Sequence, residues 1–252
     1  IFIRPLTRLG KADNNWEKVG YSPKAFVEFY KKTLEYIIEK NQQGIFLAEG
    51  NSTIFLRKIL SKQAVNYMDL RSPCGGAIGQ LAYYYDGNIY TCDEGRMLAE
   101  MGNDSFKIGN VYENSYAELM ESDSTKAMCV SSCIECNPYC CNCVYMPYCG
   151  TCPVINLAQD NNIFPKNPQE YRCKIYKGIL DILFEYIENK PEVVEAQEIK
   201  KWGLEKDNYI LYLGRIVPEK GEHYLIKAFK QSKTNKKLVI AGGISDTADY
   251  GK

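Results

Sequence analysis

Apolar residues recur at helical spacing in residues 21–44, YSPKAFVEFYKKTLEYIIEKNQQG. The periodicity predicts an amphipathic helix with one buried face. Ser22 is suited to cap its start, Pro23 to occupy its first position and Gly44 to end it. The predicted buried face consists of Phe26, Tyr30, Leu34, Ile37 and Ile38.

Three further helices are predicted from shorter patterns. One covers NSTIFLRKILSK, with Asn51 or Ser52 as its cap, and another begins in NSYAELMES. A longer helix is expected after Asn167-Pro168, through QEYRCKIYKGILDILFEYIEN. Its buried face would consist of Tyr171, Ile175, Ile179, Ile182 and Tyr186.

Strand patterns are confined to three places. Residues 1–13 predict a short apolar strand followed by a polar loop. GQLAYYYDGNIYTCDE predicts a β-hairpin, because aromatic-rich runs flank Asp86-Gly87, a favoured pair for a tight turn. After residue 207, NYILYLGRIVPEKGEHYLIKAFKQSKTNKKLVIAGG predicts a strand, a loop, a helix and a second strand, which together form a βαβ unit.

These elements predict an α+β chain with two regions. The charged residues 189–207 read as a linker with a helical turn, so we expect a boundary near residue 195. The first region would be a small metal-stabilised domain with a β-hairpin and helices. The second would be a partial Rossmann-like βαβ unit at the C-terminus.

Composition excludes several classes of function. The chain of 252 residues is 45% hydrophobic and has a formal net charge of +0. That balance gives no reason to expect nucleic acid or an anionic membrane as partner. No transmembrane run and no signal peptide is recognised, so a cytoplasmic location is expected. The first residue is Ile1 and the last segment stops without an obvious end, so a fragment is expected at both ends.

The candidate functional residues of this chain are its cysteines. Eight of the 11 lie in CVSSCIECNPYCCNCVYMPYCGTCP, residues 129–153, which is too rich in Cys, Pro and Asn for regular structure to be expected. Crowding, an odd number and the lack of an export signal argue against disulfides. Thiolates bind both iron–sulfur clusters and structural zinc, so residue type leaves both open.

The order and spacing of seven cysteines resemble the SPASM domain, the C-terminal extension of radical-SAM enzymes that modify peptides and proteins. The resemblance covers about residues 60–190. Among these enzymes the chain also resembles, less specifically, maturases of the His-Xaa-Ser system. The residues that carry it are Cys74, Gly87-x4-Cys92, Cys140-x2-Cys143-x5-Cys149, Cys152 and Cys173.

The resemblance implies two [4Fe–4S] clusters. Cys74, Cys92 and Cys152 would hold the first. The second would be held by Cys140, Cys143, Cys149 and Cys173. The sequence departs from the family in two ways: two residues instead of three separate Cys149 from Cys152, and residues 60–73 contain no cysteine. The first cluster would therefore keep an open iron or take a thiolate from Cys129, Cys133, Cys136 or Cys141.

Cys129-x3-Cys133-x2-Cys136 matches the spacing of the catalytic radical-SAM motif. Glu135 stands where that family has an aromatic residue, and a helix precedes the motif where a barrel strand would be expected. We therefore interpret these thiols as extra ligands or spares. The barrel that binds S-adenosylmethionine is expected upstream of Ile1, and residues 1–60 resemble its end with connecting helices.

The C-terminal residues 208–252 resemble the start of the nucleotide-sugar domain of family-4 GT-B glycosyltransferases. Arg215 and Lys220 match positions that hold the donor diphosphate in that family, and paired cations near a helix start suit phosphate. The resemblance implies a truncated domain, separated from residues 61–190 by the linker at 191–207, with weak binding of a nucleotide sugar at most.

Three hypotheses follow. The first is the auxiliary-cluster region of a radical-SAM maturase acting on a peptide or protein, inactive by itself. The second is a non-catalytic binding module with zinc held by Cys140, Cys143, Cys149 and Cys152. The third is a glycosyltransferase fragment, supported by the last fifty or so residues.

Overall fold

The computed structural model describes residues 1–61, 65, 67–165, 171–190, 208–213 and 221–241. The chain divides into two compact units, Ile1–Glu188 and Asn189–Lys252. The predicted boundary near residue 195 and the linker at 191–207 lie outside the described residues. The first unit contains the predicted segment 1–60 and all but the last two residues of the predicted segment 61–190.

Helices dominate the first unit, and three short strands form one sheet. The described helices are α1 (Lys11–Asn14), α2 (Trp16–Val19), α3 (Pro23–Gln42), α4 (Gly50–Leu60), α5 (Asp93–Glu100), α6 (Tyr116–Glu121), α7 (Asp123–Ser132), α8 (Pro153–Asp160) and α9 (Tyr171–Asn189). The strands are β1 (Ala82–Tyr83), β2 (Asn88–Tyr90) and β3 (Lys107–Asn110).

The sheet is antiparallel, with strand order β1-β2-β3. The predicted hairpin is confirmed, with Tyr83 opposite Ile89. The turn is longer than the two-residue turn expected. The N–H of Tyr84 donates to the carbonyl of Asn88, and the N–H of Gly87 donates to the carbonyl of Tyr84 at 3.0 Å. Gly87 has φ 87°, a conformation that glycine adopts without strain. The third strand had no recognised pattern in the sequence.

The two long helices are confirmed. Ser22 caps α3, since its Oγ accepts from the N–H of Ala25 at 3.1 Å, and Pro23 is its first residue. Four of the five predicted residues of its inner face are buried. Helix α9 buries Ile175, Ile179, Ile182 and Tyr186 as expected. Asn167-Pro168, where this helix was expected to start, lies outside the described residues.

The cap of α4 was predicted wrongly. Neither Asn51 nor Ser52 caps the helix; the carboxylate of Glu49 accepts from both of their N–H groups, at 3.1 and 2.7 Å. Glu49 is 3% exposed and also accepts from the N–H of Ile3 at 2.9 Å and from the hydroxyl of Tyr30. One buried carboxylate thus joins the N-terminal segment, α3 and α4.

Two other expectations need correction. Residues 1–13 form no strand; after an extended start they enter α1 at Lys11. Residues 129–153 are partly regular, because Cys129 lies in the last turns of α7 and Pro153 begins α8. Helix α7 forms because Ser122 caps it, accepting from the N–H of Thr125 at 3.2 Å.

Cysteine side chains form part of an apolar core of the first unit. Cys74, Cys92 and Cys152 are 4%, 3% and 6% exposed. They cluster with buried residues from the N-terminal segment, α5, α7 and α8, namely Leu9, Leu98, Phe106, Met128, Val154 and Ile155. The last cysteine of residues 129–153, Cys152, is therefore buried in a core to which other segments contribute.

The second unit has the predicted order of elements. Strands β4 (Tyr209–Leu213) and β5 (Lys237–Ala241) pair in parallel, and helix α10 (Glu222–Gln231) lies between them in the chain. The βαβ prediction is thereby confirmed. Ile210 and Leu211, neighbours in β4, remain 41% and 44% exposed, so apolar surface is uncovered on both faces of this strand.

Within the part of the chain that the structure describes, no helix is long and apolar enough to cross a membrane.

Replacing Glu49 tests the buried junction. We expect Glu49→Ala to lower the free energy of unfolding by about 3 kcal/mol, because it removes a helix cap and leaves the Tyr30 hydroxyl without its carboxylate acceptor. Chemical denaturation followed by circular dichroism measures the loss. Glu39→Ala, at an exposed position of α3, is the control and should change stability by less than about 0.5 kcal/mol. Equal losses in the two variants would contradict this account.

Candidate metal centres

The cysteine-rich loop between α7 and α8 is attached to α9 by aromatic side chains. The hydroxyl of Tyr145 donates to Asp181, and the ring of Tyr148 meets that of Phe184 edge-on, with 5.5 Å between centroids. At the other end of the loop, the Nδ2 of Asn156 donates to the Oγ1 of Thr151 at 3.1 Å. The loop is therefore positioned by side-chain contacts with regular helices.

Three of the predicted ligands meet in one cavity. Cys74, Cys92 and Cys152 line a cavity of about 80 Å³ in the first unit. Cys74 follows the segment after α4 and is held beside α7, since its N–H donates to the Oγ of Ser132 at 3.0 Å. Cys92 follows β2, and Cys152 directly precedes α8. Three distant parts of the sequence thus converge, as the resemblance implied.

Each of these sulfurs lies near backbone N–H groups. The N–H of Gly76 donates to the Sγ of Cys74 at 3.5 Å, and that of Gly95 to the Sγ of Cys92 at 3.4 Å. Cys92 is the N-cap of α5 and Cys152 that of α8, so both residues lie at the positive end of a helix dipole. Amide donors directed at thiolate sulfur are the contacts that stabilise bound iron–sulfur clusters and tune their potentials.

Without metal, these thiols stay protonated at neutral pH. Burial raises the pKa of Cys92 to about 12, and the neighbouring Glu94 carboxylate acts in the same direction. Burial likewise raises the pKa of Cys152 well above its ordinary value, and the proximity of Cys92 adds to the effect. For Cys74 the direction of the pKa shift is the same, again chiefly through burial. A metal held by these thiols would therefore release protons on binding, and the free energy of binding would have to exceed this cost.

A second group of thiols lines a separate cavity of about 40 Å³. Cys140 and Cys149 reach it from the loop, and Cys173 from the first turn of α9. Cys143 belongs to the same turn of the loop, because its N–H donates to the carbonyl of Cys140 at 2.9 Å, but its side chain does not line the cavity. Burial raises the pKa of Cys149 to about 12, and Cys173 and Cys140 add to the increase.

A half-buried lysine lies beside the second group. The Nζ of Lys58 on α4 donates to the carbonyl of Cys149 at 3.3 Å and also to that of Leu70. Burial lowers the pKa of Lys58, whereas the proximity of Cys149 and Glu135 acts to raise it. A cation at this position would stabilise a negatively charged thiolate site.

The remaining cysteines do not enter either cavity. Cys129 lies in the last turns of α7, and Cys133 and Cys136 follow its end. Cys133 lies close enough to the other two thiols for them to act on its pKa, which burial chiefly raises. Cys136 and Cys141 are exposed, and the thiol of Cys141 donates to the carbonyl of Pro138 at 3.6 Å. None of the four supplies a fourth thiol to the first cavity.

The separation of the thiols bears on the choice of metal. Within the described ranges, no group of three or more His, Cys, Asp or Glu side chains is arranged to hold a single metal ion. Thiolates around one zinc ion all lie about 2.3 Å from it, whereas a four-iron cluster gives each thiolate its own iron and so needs wider spacing. Cys152 lies with Cys74 and Cys92 in the first cavity, which argues against one zinc held by Cys140, Cys143, Cys149 and Cys152.

Cationic and acidic side chains that the sequence reasoning missed also line the first cavity. They include Arg4 and Arg8 from the N-terminal segment, Arg172 from α9 and Glu94 from α5. Guanidinium groups suit a site where several thiolates gather negative charge. Glu94 lies two residues after Cys92, and this proximity was the signal that could have found it. Arg172 directly precedes the predicted ligand Cys173, whereas Arg4 and Arg8 lie far from the cysteines in sequence.

The predicted diphosphate ligands Arg215 and Lys220 lie outside the described residues.

The chain resembles the fold of two solved structures of one protein. The chain superposes on a structure of native anSMEcpe with bound AdoMet at a TM-score of 0.51, with 19% identity over 77% of this chain and 48% of that one. A histidine-tagged form of the same protein with bound AdoMet gives a TM-score of 0.52 and 18% identity, covering 79% and 48%. Both are structures of a SPASM-domain radical-SAM maturase. The chain spans about half the length of these structures.

Residues 194–250 match the family model described as glycosyl transferases group 1. No curated protein matches the chain.

The exposure of the thiols predicts their order of alkylation. In the metal-free folded chain, Cys136 and Cys141 should react with iodoacetamide at least about tenfold faster than Cys92 and Cys152, because the latter are buried and have raised pKa values. Mass spectrometry of peptides at timed quenches measures the rates. Alkylation in denaturant is the control and should make the rates similar. Similar rates without denaturant would show that the thiols are not buried as described.

Proposed function

We propose that residues 1–190 form the auxiliary iron–sulfur region of a maturase of the radical-SAM type that acts on a peptide or protein. The observation that carries this proposal is the sorting of the predicted ligands into two cavities: Cys74, Cys92 and Cys152 line one, and three of the four ligands expected for the other line the second. The similarity of fold to a SPASM-domain radical-SAM enzyme supports it.

In this proposal the first cluster is held by Cys74, Cys92 and Cys152. Their sulfurs are preorganised by backbone donors and by the N-termini of α5 and α8, while the apolar core around them excludes water. Iron–sulfur clusters supply one-electron transfer at potentials set by such hydrogen bonds and by solvent exposure. The chain contributes a buried, donor-rich environment for this chemistry.

The second cluster is assigned to Cys140, Cys143, Cys149 and Cys173. Helix α9 fixes Cys173, the aromatic contacts of Tyr145 and Tyr148 hold the loop against α9, and Lys58 supplies a nearby positive charge. Arg172 and Tyr176 line both cavities, and the guanidinium of Arg172 lies 5.0 Å from the ring centroid of Tyr176. The two sites are therefore separated by one pair of α9 side chains.

The proposal assigns electron transfer and substrate positioning to this chain. The described residues contain no βα barrel of the kind that binds S-adenosylmethionine. Cys129 lies within helix α7, and Cys133 and Cys136 follow that helix instead of a barrel strand. They are therefore not assigned to cleavage of S-adenosylmethionine.

Iron content tests the assignment. Anaerobic reconstitution should load about eight iron atoms per chain, in two four-iron clusters, with broad absorption in the visible range. Cys173→Ala should lose about half of that iron, because no neighbouring thiol can replace Cys173 in the second cavity. Cys141→Ala is the matched control and should lose none, since its exposed thiol lies outside both cavities. Equal losses, or zinc in place of iron in the unaltered chain, would refute the assignment.

A second candidate function concerns the C-terminal unit, because residues 194–250 match glycosyl transferases group 1. The parallel βαβ arrangement of β4, α10 and β5 is compatible with part of a nucleotide-binding domain. Diphosphate binding by Arg215 and Lys220 belongs to this proposal, with a nucleotide sugar as a weak ligand.

Deletion separates the two candidate functions. Removal of residues 191–252 should leave the iron content unchanged, because all the proposed cluster ligands lie in the first compact unit. Calorimetric titration of the full chain with UDP-glucose and GDP-mannose should detect weak binding at most, and the deleted form should bind neither. If the deletion removes the clusters, the two units depend on each other for folding. Tight binding of a sugar nucleotide would favour the second candidate.

A further inference from the structure

Glu94 is the acidic side chain that shares the first cavity with the three thiols. It lies in the first turn of α5, two residues after Cys92, and is half-buried. Across the described residues it forms no hydrogen bond or ion pair. Its neighbour Asp93 differs, since that carboxylate is largely exposed and pairs with Arg96 at 2.9 Å.

The side chain of Glu94 lines the same cavity as Cys74, Cys92 and Cys152, and it enters from the first turn of the helix that Cys92 caps. Arg4, Arg8 and Arg172 line the same cavity and can compensate part of the negative charge that three thiolates and one carboxylate would gather there. The cavity therefore offers four anionic donors, three thiols and one carboxylate, to a bound iron–sulfur cluster.

Other candidates for the fourth position are less suitable. Cys129, Cys133, Cys136 and Cys141 do not line this cavity. Met68 does, six residues before Cys74, but its thioether is neutral and a weak acceptor. A carboxylate carries the same charge as a thiolate.

We propose that Glu94 is the fourth ligand of the first cluster and binds its iron through a carboxylate oxygen. This inference rests on the proposed function. The first cluster would then have three sulfur ligands and one oxygen ligand, whereas the second has four sulfur ligands. A carboxylate is a harder ligand than a thiolate and suits iron in a soft cluster less well, so the iron at Glu94 should be the first one lost.

The experiment uses the full chain, reconstituted anaerobically, with the variants Glu94→Cys, Glu94→Gln and Met68→Leu. Each is treated briefly with ferricyanide, then analysed for iron and by electron paramagnetic resonance. The unaltered chain should lose about one of eight irons and show the signal of a three-iron cluster. Glu94→Cys should keep all its iron, and Glu94→Gln should lose one iron before oxidation. Met68→Leu should behave like the unaltered chain.

Several results would overturn the assignment. If Glu94→Gln matches the unaltered chain in iron and spectrum, Glu94 is not a ligand, although the two-cluster function would stand. If Met68→Leu instead loses one iron, the thioether holds the fourth position. If no variant takes up iron, the proposed function fails and the ligand assignment fails with it. The spectrum distinguishes loss of one iron from general unfolding, which would remove both clusters.

Discussion

The burial of Cys74, Cys92 and Cys152 within an apolar core is the constraint on which the proposed first site depends. A buried thiol packs as a small apolar group, whereas a buried thiolate needs charge compensation. If these residues hold a cluster as proposed, the same side chains fill the core when protonated and bind the cluster when ionised. Folding and metal binding would then be coupled, because the ligands would be core residues. Helices α5 and α8, which begin next to two of these sulfurs, would be coupled to the same event.

Helix α9 connects this core to the second cavity. It presents Cys173 to one side, while Arg172 and Tyr176 line both cavities. Helix α9 also packs closely against α3. A Cβ atom added at Gly178 of α9 would lie 2.6 Å from the Cγ2 of Val27 on α3. The absence of a side chain at Gly178 allows the two long helices to approach each other. Packing against α3 therefore fixes the position of α9, and with it the position of the proposed ligand that α9 carries.

The sequence was sufficient to predict what depends on local pattern. The periodicity of α3 and α9, the hairpin before Cys92 and the parallel unit at the C-terminus all follow from spacing over a few residues. The grouping of the cysteines came from resemblance to a family. No spacing rule could have separated Cys149 from Cys152, which lie three positions apart and line different cavities. Features set by distant contacts were missed or misread. Glu49 was overlooked as a cap because its other partners, Ile3 and Tyr30, are remote in sequence. Lys58 and the arginines of the first cavity were not considered either, since only tertiary structure brings them to the thiols.

The short connection between the two cavities couples the loading of one proposed cluster to the loading of the other. Gly150 and Thr151 alone separate Cys149, which faces one cavity, from Cys152, which faces the other. A loop this short cannot move one sulfur far without moving the other, so occupancy of one cavity restricts the conformations open to its neighbour. Filling either cavity should therefore make the other easier to fill. In a cell short of iron, half-loaded chains would then be fewer than independent filling would produce.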